Sequence, residues 1–366
     1  MAWRTRWIMW RNAMLASPGF QRFAARFPIT RPVARAKARA LFDLVAGFTY
    51  SQTLAAVIET GWLDRLAEAP RDVESLAGQA DLSTEGAERL LKAAAAIGLT
   101  ERLNDGRWTL GQAGAALRGN AGIAEMVRHH HHLYADLADP LALLRRGGAG
   151  ELSEYWRYAR ATGTGSAQEV AEYSALMAAS QPMVADQVID AYRFGRHRRV
   201  MDVGGGEGAF LARLAARVDG PELALFDLPS VVDRAAARLA SAGVADRVRL
   251  HRGSFLADPL PQGADCITLV RILHDHDDEP AQQLLRNVHA ALPAGGRVVI
   301  AEPMADTPSA RAMGDAYFGW YLLAMGSGRP RPAREIKAML AASGFTQIRR
   351  IQTAMPVTAS MIIASR

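Results

Sequence analysis

From residue 198 onward, short apolar runs alternate with longer stretches in which apolar positions recur every three or four residues. The runs at 198–203, 222–226, 247–251, 264–270, 297–302, 345–352 and 358–364 predict strands, with helical segments between most of them. That alternation marks an α/β architecture with a doubly wound, Rossmann-like parallel sheet. Only a short link around Ala354-Met355-Pro356 separates the last two runs, too little for a helical crossover, so this pair is expected to be antiparallel. Upstream, helical periodicity appears around Leu41–Ile58, Val73–Ala80 and Glu85–Ile97, with Ser83-Thr84 as an N-cap before the third and Gly98 as a stop. Leu99–Leu103 and Arg107–Leu110 flank the turn Asn104-Asp105-Gly106, a hairpin by its turn chemistry. Helices followed by a hairpin predict a winged-helix-like domain over 41–120. Residues 121–197 read as helical with a break at Gly147-Gly148-Ala149-Gly150, a linker and substrate-pocket region ahead of a catalytic domain over 198–366.

Residues 1–40 follow a different pattern. Trp3, Trp7, Trp10 and Met14 fall on one helical face, Pro18-Gly19 stops that helix, and Phe20, Phe23 and Phe27 repeat the theme beside Arg22 and Arg26. The segment holds nine basic residues and no acidic one, so it accounts for the whole net charge of +6. Aromatics flanked by arginines suit the boundary between lipid headgroups and acyl chains; packing on the chain's own domain or on a dimer partner is the other reading. No apolar run approaches the length that spans a bilayer, and Arg4, Arg6 and Arg11 interrupt any signal-peptide core. The lone Cys266 excludes an internal disulfide and suggests a cytoplasmic protein, with peripheral contact to the membrane's cytoplasmic face through residues 1–40. Residues 41–120 carry seven basic and eleven acidic side chains, and the would-be recognition helix offers only Arg89 and Lys92. Phosphate neutralisation dominates DNA affinity, so no nucleic-acid partner is expected, and a DNA-binding regulator is the disfavoured alternative of another class.

Candidate chemistry begins where the first strand of the sheet runs into Asp202-Val203-Gly204-Gly205-Gly206-Glu207-Gly208. Glycines permit the tight bend and let a ligand approach bare backbone. The next run ends in Asp227, placed to take ribose hydroxyls. Gly204-x-Gly206-x-x-Ala209 also satisfies a dinucleotide fingerprint. Asp202 and Glu207 flank the loop, which favours the cationic S-adenosylmethionine over the pyrophosphate of NAD.

Asp202–Gly208, Phe226-Asp227-Leu228-Pro229, Arg271-Ile272-Leu273-His274-Asp275, Ala291-Leu292-Pro293-Ala294-Gly295-Gly296 and Ala301-Glu302-Pro303 stand in order along the chain. Together they resemble the S-adenosylmethionine-dependent O-methyltransferases of the caffeate, acetylserotonin and bacterial antibiotic type, over roughly residues 40–366. A narrower resemblance is to the bacterial carotenoid enzymes that methylate the tertiary 1-hydroxyl of hydroxyneurosporene or demethylspheroidene. It rests on Trp10-Arg11-Asn12, Leu15-Ala16-Ser17-Pro18, Tyr134–Pro140, Tyr173–Gln181, His274–Asp278 and Gly314–Arg331.

The resemblance implies a homodimer, a small lipophilic substrate, and His274 as general base oriented by Glu302. Relatives often carry a second glutamate near position 330, where this chain has Arg329-Pro330-Arg331, so Asp275 is expected to share the role. Asp202, Gly204, Gly206, Asp227, Leu228, Ser254, Phe255 and Arg271 are the implied cofactor contacts. Ser254-Phe255 stands where relatives have Asp-Met, and His276 where many have a tryptophan. Tyr173 and Met177, one helical turn apart, match a pair that helps enclose the reacting centre; ordinary core packing is the alternative. Tyr317, Phe318, Trp320, Tyr321, Leu322 and Met325 form an aromatic run suited to a long apolar acceptor, or simply to helix packing. Another lipophilic acceptor, such as a bacteriochlorophyll precursor, a polyketide or a phenol, fits the same pocket. His129-His130-His131-His132 resembles a metal tract, but successive helical side chains point about 100° apart, so no metal is expected.

Overall fold

The structure, a computed structural model, describes residues 3–160 and 181–366. The chain divides into two compact units, Met1–Arg118 and Gly119–Arg366.

The first unit begins with three helices, α1 (Trp3–Ala16), α2 (Pro18–Arg26) and α3 (Arg31–Glu59). Ser17 caps α2 with its hydroxyl and Pro18 opens it, so the Pro-Gly pair starts a new helix as well as ending the first. α4 (Trp62–Glu68), α5 (Val73–Gln79) and α6 (Thr84–Ala96) follow. The Ser83 hydroxyl accepts from Gly86 N at 3.1 Å, the N-cap expected of it. The hairpin is present as β1 (Thr100–Arg102) against β2 (Trp108–Leu110), antiparallel, and α7 (Gln112–Arg118) closes the unit. Trp62, Leu66, Leu76, Leu91 and Trp108 make its core, and the Trp62 indole N–H reaches Leu76 O.

α3 corrects one sequence expectation. Its 29 residues include a window of mean hydropathy 1.4 that is only 11% buried, so by length and composition it could cross a membrane. Beyond Arg39, Asp43 alone interrupts its apolar course before Glu59, and that one charge divides the stretch into runs too short to span. Leu41, Phe42, Leu44, Val45 and Phe48 stand exposed along it.

In the second unit, α8 (Ala121–Asp136), α9 (Pro140–Arg145), α10 (Glu151–Arg160) and α11 (181–191) precede the sheet. The strands are β3 (Arg199–Val203), β4 (Glu222–Asp227), β5 (Val248–Arg252), β6 (Cys266–Val270), β7 (Arg297–Glu302), β8 (Thr346–Ile351) and β9 (Ser360–Ser365). Their order is β5-β4-β3-β6-β7-β9-β8, with β9 antiparallel to both neighbours and the rest parallel. Seven strands and a terminal antiparallel pair agree with the apolar pattern. Period-two alternation splits their side chains between two cores. Val200, Leu223, Leu225 and Cys266 pack on α12 (Ala209–Arg217) and α13 (Pro229–Ser241). Met201, Ala224, Ile267 and Leu269 pack on α14 (Asp278–Ala291) and α16 (Ala333–Ala342). The winding direction reverses between β3 and β6, and ligands of doubly wound sheets bind at the carboxyl ends beside such a reversal.

Candidate active site

Four strand ends meet at that reversal. β3 delivers Asp202, whose partner across the ladder is Thr268 of β6; the Thr268 hydroxyl donates to Asp202 Oδ1 at 2.6 Å. Burial pushes Asp202 up to about 7, against the hydroxyl's pull downward. The glycine bend follows. Gly204 has φ 71°, and a Cβ there would press on the Ile272 side chain at 2.8 Å. Gly206 has φ 57° and open space where its Cβ would be, room for a ligand to meet the backbone. Its N–H donates to Asp227 Oδ2 at 2.8 Å, while Oδ1 accepts from Leu228 N, so the carboxylate braces the bend. Each Asp227 oxygen keeps a further lone pair for a ligand.

β6 ends in a short 3₁₀ turn over Leu273–Asp275 that carries His274. Arg271, at the turn's entrance, has φ 59°, a conformation costing a non-glycine residue roughly 1–2 kcal/mol. Glu302 ends β7 and takes three donors from this turn: Ile272 N at 2.9 Å and Leu273 N at 2.8 Å on Oε1, and His274 Nδ1 on Oε2. Holding the Nδ1 proton leaves Nε2 as the basic nitrogen of a neutral ring. Asp275 Oδ1 lies 3.2 Å from that Nε2. Burial works against a charged His274, but the carboxylates of Asp275 and Glu302 outweigh it, and the net shift is upward.

These groups line one cavity of about 900 Å³, counted out to its open mouth. Of the predicted residues, Asp202, Gly204, Gly206, Arg271, His274, Asp275, Phe318 and Tyr321 reach it. Glu302 and Asp227 stand behind it as braces. Phe255 packs edge-on to His276 at 5.3 Å, near Gly204, whereas Ser254 turns its hydroxyl to Leu256 N and Leu228 is a half-exposed helix cap. Tyr173 and Met177 lie outside the described residues. The cavity also holds residues the sequence reading missed. Gln181 presents a buried Oε1 that has no hydrogen-bond partner among the described residues. Arg234 and Arg238, one turn apart on α13, pair with Glu207 at 3.2 and 3.6 Å. Their spacing was visible in the sequence, and it removes Glu207 as a free anion: the bend is less acidic than its composition suggested. An orphan acceptor, a buried carboxylate and two arginines together fit a ligand bearing both a cation and a carboxylate, as S-adenosylmethionine does.

A π-helical turn, Ala312–Tyr317, runs into α15 (Phe318–Met325) and supplies the aromatic wall. Phe318 meets His274 edge-on with ring centres 5.8 Å apart, and Tyr317 stacks on Tyr321. Tyr321 and Met325 are buried with Leu322. The histidine tract backs this wall: His129 Nε2 lies 2.9 Å from the Tyr321 hydroxyl and His130 Nε2 2.8 Å from that of Tyr317. Burial, reinforced by its histidine neighbours, pushes His129 down to about 3, so it is neutral here. Among the described residues no cluster has the makings of a metal site.

Comparison with known proteins resolves the class. The O-methyltransferase domain model matches residues 134–346, and the O-methyltransferase dimerisation domain model matches residues 42–118. The chain belongs to the O-methyltransferase family. It is an enzyme of the S-adenosylmethionine-dependent type, and the dimerisation match, which takes in most of α3, supports a homodimer. Demethylspheroidene O-methyltransferase of Cereibacter sphaeroides is 44% identical, covering 96% of this chain and 93% of its own. The Rhodobacter capsulatus enzyme of the same name is 43% identical over 93% of this chain and 85% of its own. Acetylserotonin O-methyltransferase of Mus musculus is 32% identical over 88% and 87%. Among solved structures, the calicheamicin-biosynthesis methyltransferase CalO1 in its SAH-bound form superposes with a TM-score of 0.70 at 27% identity, covering 90% of this chain and 98% of that one.

Proposed function

We propose that this methyltransferase acts on the tertiary 1-hydroxyl of an acyclic carotenoid of the hydroxyneurosporene or demethylspheroidene type, with His274 as general base. The acceptor assignment is supported by two relatives of that activity matching nearly the whole chain, and by the aromatic rings of Phe318 and Tyr321 on the cavity, with the predicted Tyr317 and Met325 packed behind them. The observation that carries the mechanism is His274, held at Nδ1 by Glu302 and set beside the glycine bend in one cavity.

The donor supplies an electrophilic methyl carbon on a positively charged sulfur. Asp202, Gln181 and the Gly204–Gly206 backbone would offer it acceptors, and Asp227, Leu228, Phe255 and Arg271 would complete its site around the glycine bend. The chain's own work is at the acceptor oxygen. An aliphatic alcohol has a pKa near that of water, about 15.7, against roughly 6.5 for histidine. Forming the alkoxide first would cost roughly 12 kcal/mol. His274 Nε2 therefore takes the hydroxyl proton as the oxygen–carbon bond forms, and Glu302 stabilises the imidazolium. Raising the pKa of His274 narrows the mismatch.

We assign catalysis to residues 198–366, the acceptor wall partly to 121–197, dimerisation to 41–120 and membrane contact to residues 1–40. Arg89 and Lys92, the would-be DNA contacts, are spent on Glu85 and Glu88, which favours the enzyme reading over a regulator. The deciding experiment incubates the purified dimer with methyl-labelled S-adenosylmethionine and carotenoid, tetrapyrrole and phenolic acceptors. Label in a 1-methoxy carotenoid is expected; label in a tetrapyrrole alone would displace the assignment. His274→Ala should lose about 10²–10⁴-fold in turnover while keeping donor affinity, and retained turnover would remove the base.

A further inference from the structure

The turn that carries His274 is held from its far side by a segment with no part in the chemistry above. Four successive carbonyls of the turn each accept a hydrogen bond from residues 327–331. Leu273 O accepts from Arg331 Nη1 at 2.7 Å, and His274 O from Arg329 N at 2.9 Å. Asp275 O accepts from the Ser327 hydroxyl at 3.1 Å, and His276 O from Arg331 Nη2 at 2.8 Å. Gly328 is where the two segments touch. Its φ is 78°, and any Cβ there would overlap the His274 carbonyl.

Arg331 is the centre of this strap. It is only 2% exposed, and its planar fork bridges both ends of the turn and the Asp278 carboxylate that opens α14 at 2.8 Å. A buried guanidinium carries a large desolvation cost that only good geometry offsets. What the cation achieves is to fix the backbone on either side of Asp275, so that its carboxylate meets His274 Nε2.

We propose that Arg331 is a positioning residue for the base: through Leu273, His276 and Asp278 it locks the turn that keeps the Asp275 carboxylate on His274 Nε2. When His274 is protonated, Asp275 shares the imidazolium with Glu302; once the Nε2 proton is lost to solvent, the neutral ring is the form that takes the acceptor's proton. The charged groups facing His274 are Glu302 from β7, Asp275 from its own turn, and Arg271, which acts in the opposite sense. Loosening the strap withdraws one anion from that balance.

The inference rests on His274 being the base, and the tests of the two are separable. kcat/KM is measured against pH for the wild-type dimer, Arg331→Met, Arg331→Lys and Asp275→Asn, with donor Kd by calorimetry and folding by circular dichroism. Arg331→Met should lower turnover about 10-fold or more and move the acid limb down by about one pH unit, with donor Kd within about threefold. Asp275→Asn should move the limb the same way. Arg331→Lys should fail to restore it, because one ammonium cannot bridge both carbonyls and Asp278. A folded Arg331→Met with an unmoved acid limb overturns the proposal, as does an unmoved limb in Asp275→Asn. Should Arg331→Met not fold, Ser327→Ala removes one strap bond alone and must shift the limb in the same direction. An active His274→Ala would instead overturn the base assignment.

Discussion

At the residue scale the site is a balance of buried charges, and pH reads it directly. The base must be neutral to accept a proton, and the Asp275 and Glu302 carboxylates raise His274 against the effect of burial. Activity should therefore climb with pH through a midpoint above the ordinary histidine value of about 6.5. A kcat/KM profile of the free enzyme reports that midpoint, and a limb at or below the ordinary value would contradict the two-carboxylate setting. Asp202 gives a second reading on the donor side. Pushed up to about 7 by burial, it is half-protonated near neutrality, yet a cationic donor favours its charged form. Donor affinity should rise between pH 6 and 8 with release of protons on binding, and Asp202→Asn should flatten that rise. Calorimetry in buffers of different ionisation enthalpy measures both.

At the element scale, the aromatic wall depends on a helix two hundred residues away in sequence. α8 places His129 and His130 on the hydroxyls of Tyr321 and Tyr317, one histidine for each of the two stacked tyrosines. Tyr321→Phe keeps the ring and removes the hydroxyl that His129 Nε2 bonds in a buried setting, which should cost about 1–3 kcal/mol of stability. The same change should raise acceptor KM more than donor Kd, and equal effects on the two would show that the pair serves folding alone. The pairing itself was not legible in His129-His130-His131-His132, because the tyrosine partners arrive through tertiary packing. The sheet was legible: period-two runs and the short link at Ala354-Met355-Pro356 give all seven strands and the antiparallel pair. His274, Glu302 and Asp275 were legible through their motif, and the structure brings the three together. Gln181 and the strap over 327–331 were not, since a backbone carbonyl leaves no trace in the residue type that binds it. The Arg329-Pro330-Arg331 departure was visible as a missing carboxylate; its positive content, a buried guanidinium on two carbonyls of the turn, follows only from the tertiary fold.

At the scale of the whole molecule, the proposed acceptor poses a question of access: a polyene of that kind dissolves in a bilayer and must reach a cavity at the end of a sheet. The dimerisation match begins at residue 42, within α3. An alignment covering 96% of this chain must extend into the residues before that point. Those residues expose Trp3, Trp7, Trp10, Phe23 and Phe27 among nine cations with no acid. A second copy of this segment would repel it, while an anionic membrane surface complements both its charge and its apolar face, with each cation worth about 1 kcal/mol near such a surface. The full-length dimer should therefore sediment with vesicles containing phosphatidylglycerol, less well with purely zwitterionic ones, and progressively less as salt is raised. A variant lacking residues 1–40 should stay in the supernatant while methylating a detergent-solubilised acceptor at close to the full-length rate. Equal sedimentation of the two forms would return the tryptophan face to a packing role within the dimer and leave α3 as the surface to test next.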